Sequence, residues 1–111
     1  MIFQETQFGE VLVAKVPERR IAADVAPRLK EALIALVSKG NRRIVLDLSD
    51  VTFIDSSGLG ALISSLKAIG GDGELVLSGA CEAVVSMFKL TRMNKVFRMF
   101  DNPEEAVAAL R

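Results

Sequence analysis

Residues 55–60 read Asp-Ser-Ser-Gly-Leu-Gly, with two hydroxyls directly after a carboxylate and directly before two glycines. The apolar spacing that follows is helical, so the serines stand at a helix start. Backbone amides there have no earlier turn to bond to, and the helix dipole presents its positive end. Ser56 or Ser57 can accept a hydrogen bond from a first-turn amide and so cap the helix, while the glycines allow close backbone packing. The same surroundings tolerate a phosphate as a new covalent charge. On these residues alone both readings stay open.

Catalysis by the serines fails on inventory. A serine nucleophile needs an activating base, and the chain has no histidine. Glycine follows the serine pair without preceding it, so the Gly-x-Ser-x-Gly elbow is missing. Ser64-Ser65-Leu66-Lys67 has the spacing of a Ser-x-x-Lys pair but falls in mid-helix, where serines fill small contacts. Asp47, Asp50 and Asp55 could gather around magnesium, or they could organise a loop through backbone amides. Gly70-Gly71-Asp72-Gly73 lacks the lysine of a phosphate loop and the acids of a calcium loop, and reads as a turn. Cys81, the one cysteine, excludes an internal disulfide and reads as a buried helix residue.

The elements that must position this segment are legible from periodicity. Residues 2–6 and 11–16 read as two strands of a hairpin turning at Phe8-Gly9. Residues 24–38 carry Val25, Leu29, Leu33, Leu36 and Val37 at helical spacing, with Asp24 as the expected cap and Pro27 in the first turn. Residues 43–48 form an apolar strand, 52–55 lead out of it, and 57–69 form the second helix. A strand at 74–78, a helix at 81–90 and a short strand around 95–98 follow. The last helix has Asn102 as cap, Pro103 at its first position and Glu105 three beyond the cap. Strands alternating with helices predict an α/β domain. Its mixed sheet is mostly parallel, with an antiparallel edge strand at the N-terminus and about four helices. The expected inner strands are 11–16, 44–47 and 75–77, with Leu29, Leu33, Leu46, Leu62, Leu66 and Val84 in the core.

The 111 residues fit one domain over 1–111, and the apolar half of them suffices for a core. Fourteen basic and fourteen acidic residues cancel, which gives no reason to expect direct nucleic-acid binding. No signal peptide and no spanning apolar run is evident, so no membrane insertion and a cytoplasmic location are expected. The methionines and phenylalanines of 87–100 read as core fillers. Any left exposed could serve a second interface, so a monomer or weak homodimer is expected.

The motif Asp55-Ser56-Ser57-Gly58-Leu59-Gly60, after the approach Asp50-Val51-Thr52-Phe53-Ile54, resembles the signature of bacterial anti-sigma factor antagonists of the STAS family. The element order is similar across essentially the whole chain, with Leu46-Asp47 and Phe88-Lys89-Leu90-Thr91 matching further family positions. The resemblance implies that Ser56 is a phosphoacceptor supported by Asp55, Ser57, Gly58 and Gly60. It implies partner contacts at Arg19, Arg20, Ile21, Asp24, Thr52, Ile54 and Leu59. The implied partner is an anti-sigma factor serine kinase, which supplies ATP and magnesium; the chain itself takes no cofactor. The unphosphorylated form would bind the kinase and free a sigma factor, in stress response or sporulation, and a serine phosphatase would reset the switch. The chain departs from the family pattern twice. Pro17-Glu18-Arg19-Arg20-Ile21 stands where a Gly-x-Leu/Ile-Asp element is usual, and Arg92 replaces the glycine after Leu-Thr. The alternative is a STAS subunit of an ABC-type lipid or organic-solvent-resistance transporter.

Overall fold

In the computed structural model, which describes residues 1–111, the chain opens with an antiparallel hairpin of β1 (Gln4–Phe8) and β2 (Val11–Lys15). The turn is the two-residue Gly9-Glu10, with Gly9 at φ +63° as such tight turns require. This pulls β1 two residues later than the expected 2–6. Two short strands, β3 (Arg20–Ile21) and β5 (Phe53–Ile54), pair with each other in parallel, apart from the main sheet. Between them lie α1 (Ala26–Ser38) and β4 (Arg43–Asp47). After them come α2 (Ser56–Ile69), β6 (Glu74–Ser78), α3 (Glu82–Leu90), a 3-10 turn (Met93–Lys95), β7 (Met99–Phe100) and α4 (Pro103–Leu110).

The main sheet has the order β1-β2-β4-β6-β7 and is parallel except for β1. Almost every residue of β2, β4 and β6 is buried, because helices cover both faces of a parallel sheet. Leu12, Ala14, Ile44, Leu46, Leu75 and Leu77 meet Leu29, Leu33, Leu62, Val84 and Phe88 of α1, α2 and α3 in the larger core. Val11, Val13, Val45 and Val76 pack on the opposite face against Ala106, Val107 and Leu110 of α4. Leu66, expected in the core, is only half-buried at its edge.

Three expectations fail for identifiable reasons. Asp24 does not cap α1: Val25 holds the cap position, with no side-chain bond. The Ala26 amide donates to Ala22 O and Pro27 has no donor, so little is left in the first turn to satisfy. The last strand is at Met99–Phe100, not 95–98, because residues 93–95 coil into the 3-10 turn. Phe97 then goes inward to meet Phe88 edge-on at 6.0 Å between ring centroids. Cys81 precedes α3 at its cap position, half-buried, with its thiol 3.5 Å from Val51 O, and is not inside the helix.

Candidate functional site

The helix that carries the serines begins one residue earlier than its periodicity predicts, and the cap is neither serine. Asp55, in extended conformation, accepts a hydrogen bond at Oδ1 from the Gly58 amide at 3.1 Å. Its own carbonyl accepts from the Leu59 amide at 3.0 Å. Ser56 and Ser57 are therefore the first two residues of α2. Both are exposed, their hydroxyls make no hydrogen bond within the chain, and their amides have no partner. A hydroxyl at this position is free to react, beside two free donors and the dipole's positive end.

The turn is held from beneath by β3 and β5. The Asp55 amide donates to Ile21 O at 3.2 Å, and Thr52 donates to Arg19 O through both its amide (2.7 Å) and its hydroxyl (3.1 Å). Ile21, Ile54 and Leu59 are buried. Gly58 sits so close to this pair that a Cβ on it would lie 2.7 Å from both Ile21 O and Ile54 Cγ1. Close packing therefore explains Gly58. It does not explain Gly60, where a Cβ would meet nothing within 4 Å.

The three aspartates have separate duties. Asp47 Oδ1 accepts from the Ser49 amide at 3.0 Å, Asp50 pairs with Lys15 at 3.5 Å, and Asp55 caps α2. Ser65 donates back to Ala61 O at 2.8 Å inside α2, the small-contact role its mid-helix place suggests. Residues 70–73 form the turn from α2 to β6.

The STAS domain family matches this chain over residues 6–106. The chain belongs to the STAS family. It is 30% identical over 79 residues to the anti-sigma-B factor antagonist of Staphylococcus aureus, covering 70% of this chain and 73% of that protein. The crystal structure of an anti-sigma factor antagonist from Mycobacterium paratuberculosis superposes with a TM-score of 0.86 at 26% identity, covering 96% of this chain and 91% of the other. The Bacillus cell fate determinant SpoIIAA in its phosphorylated form shares the fold, with a TM-score of 0.71 at 18% identity over 98% of this chain and 99% of that one. This STAS domain is thus related to bacterial anti-sigma factor antagonists. No helix in it is long and apolar enough to cross a membrane.

Among the residues singled out in the sequence, the fold brings Asp55, Ser56, Ser57, Thr52, Arg19 and Arg20 to one surface, with Gly58 buried beneath it. Ile21, Ile54 and Leu59 lie under it, and Asp24 is exposed at the approach to α1. Phe53 was not singled out. Its ring, 37% exposed, lies under the Arg20 guanidinium at 4.3 Å from the ring centroid. A two-residue strand has too few positions for alternation to predict which side chain stays outside.

Proposed function

We propose that this STAS domain is an anti-sigma factor antagonist switched by phosphorylation at Ser56. The supporting observation is the first residue of α2, an exposed hydroxyl beside two unbonded amides, directly after the capping carboxylate of Asp55. Unphosphorylated, the domain binds a serine kinase that also acts as the anti-sigma factor, and the sigma factor is freed. The contact surface comprises the exposed Arg19, Arg20, Asp24 and Thr52, held in place by Ile21, Ile54 and Leu59.

In the modification, Ser56 Oγ forms a bond to the γ-phosphorus of ATP as the bond to ADP breaks. The hydroxyl proton leaves to a base of the kinase, which also carries the magnesium. The phosphoryl group adds about 1.5 to 2 negative charges. The free amides and helix dipole stabilise that charge within the domain, while a tightly packed partner meets it with desolvation and repulsion. A serine phosphatase would restore the hydroxyl by transferring the phosphoryl group to water. That SpoIIAA, with the same fold, has a phosphorylated form supports this reading. We place the whole of residues 1–111 in this one domain, acting in the cytoplasm as a monomer or weak homodimer.

The test is incubation with the kinase and ATP, followed by mass spectrometry of the wild type and Ser56→Ala. One added phosphate on the wild type and none on the variant is expected. Phosphorylation of Ser56→Ala to the same extent overturns the assignment. Failure of every anti-sigma factor kinase to bind or modify the wild type favours the transporter-subunit reading instead.

A further inference from the structure

The surface around Ser56 carries two cations that nothing in the chain neutralises. Arg19 and Arg20 are exposed and belong to none of the four ion pairs, which join Lys15 to Asp50, Arg28 to Glu18, Arg43 to Glu10 and Arg98 to Glu74. The acids close to them in the chain or across the β3–β5 pair are engaged: Glu18 holds Arg28, Asp50 holds Lys15, and Asp55 caps α2. Asp24, three residues beyond Ile21, is exposed and in no ion pair, so two unpaired guanidiniums stand against one unpaired, solvated carboxylate and the capping carboxylate of Asp55, which is turned to the Gly58 amide. Arg20 is also braced, since its guanidinium carbon stands over the Phe53 ring at 4.3 Å from the centroid. An arginine on a half-exposed aromatic loses less freedom on binding than a free one, and both residue types are enriched where binding energy concentrates.

We infer that Arg19 and Arg20, with Phe53 beneath, form a cationic ridge that docks on a carboxylate-rich patch of the partner kinase. We infer also that the Ser56 phosphoryl group acts by cancelling this ridge. The inference rests on the proposed function and adds the sign of charge by which the partner is chosen. Ile21 O bonds the Asp55 amide, and Arg20 is the next residue back, so Arg20 Cα lies within about 10 Å of the Asp55 turn. That is close to one Debye length at physiological salt. In this inference a doubly charged phosphoryl group on Ser56 offsets the positive charge of the neighbouring arginines and presents negative charge to the same acidic patch.

The test titrates the anti-sigma factor serine kinases of the source genome, purified one by one, against four forms of the full chain at low and high salt. These are the wild type, Arg19→Glu/Arg20→Glu, Arg19→Lys/Arg20→Lys and Phe53→Ala, each checked for folding by its melting curve. For the kinase that binds the wild type, charge reversal should weaken affinity by about tenfold or more. The lysine pair should keep most of it, Phe53→Ala should lose several-fold, and affinity should fall as salt rises. A folded charge-reversal variant that binds within about twofold of the wild type overturns the ridge and leaves the Ser56 switch standing. Tighter binding by the charge-reversal variant means the partner patch is basic and overturns it as well. If no kinase binds the wild type, the proposed function falls and the ridge falls with it.

Discussion

The Gly58 α-carbon and the Ile21 carbonyl are in such close contact that a single methyl group would not fit between them: a Cβ at residue 58 would lie 2.7 Å from that oxygen. The same carbonyl accepts the Asp55 amide. One backbone oxygen of β3 thus fixes both the capping residue and the third residue of α2, with Ser56 and Ser57 held out between them.

Gly58→Ala should accordingly destabilise the domain by about 1–3 kcal/mol, since the clash is with backbone and a buried isoleucine that cannot swing away. Gly60→Ala is the control. Nothing lies within 4 Å of its would-be Cβ, so the gain in helix propensity should stabilise by up to about 1 kcal/mol. Denaturant unfolding of the two variants checks the pair; equal shifts would mean the Ile21 contact is relaxed in solution.

Asp55→Ala should cost about 1 kcal/mol, the usual worth of a capping side chain, because Gly58 would lose its acceptor. Ser57→Ala should be nearly neutral, because no hydrogen bond of that hydroxyl within the chain is lost. Thermal melts that rank the two the other way would return the cap to the serines.

These assignments mark where sequence reading worked and where it stopped. Helix α4 was legible to the residue: Asn102 Oδ1 accepts from the Glu105 amide at 2.9 Å, and Asn102 Nδ2 donates to Glu105 Oε2 at 3.0 Å. Pro103 stands first in the helix. The start of α2 was legible only as a region, because Asp55, Ser56 and Ser57 are all good caps and only the backbone direction selects among them. Strands β3, β5 and β7 are two residues each, shorter than one full alternation. The pairing of Arg20 with Phe53, and with it the placement of the basic segment beside Ser56, comes from contacts distant in sequence that no local pattern encodes.

Arg92 gives a stability prediction of the opposite sign. It is the one non-glycine residue with positive φ, at φ 60° and ψ 18°. A side chain in the left-handed region costs about 1–2 kcal/mol that glycine does not incur, part of it offset by glycine's greater freedom when unfolded. Arg92→Gly should therefore stabilise by about 0.5–1 kcal/mol. Calorimetric melting would reveal it as a raised midpoint. A lowered midpoint would mean the arginine makes contacts worth more than the strain.

The last prediction separates folding from switching at Ser56. Ser56→Asp introduces one carboxylate at the first position of α2, where the helix dipole favours negative charge by a few tenths of a kcal/mol or more. Its melting temperature should match or slightly exceed that of the wild type. Its affinity for the kinase should fall, though less than that of the phosphorylated chain, because a carboxylate carries about half the phosphate's charge. Ser56→Ala removes a hydroxyl that bonds to nothing in the chain and adds no charge. It should bind close to wild type and, lacking an acceptor, stay in the binding form when ATP is present. Calorimetric titration of both variants against the kinase, beside their melting curves, reads the two effects independently. Equal affinities for the alanine and aspartate variants would exclude charge at residue 56 as the switch, whatever the melting curves show.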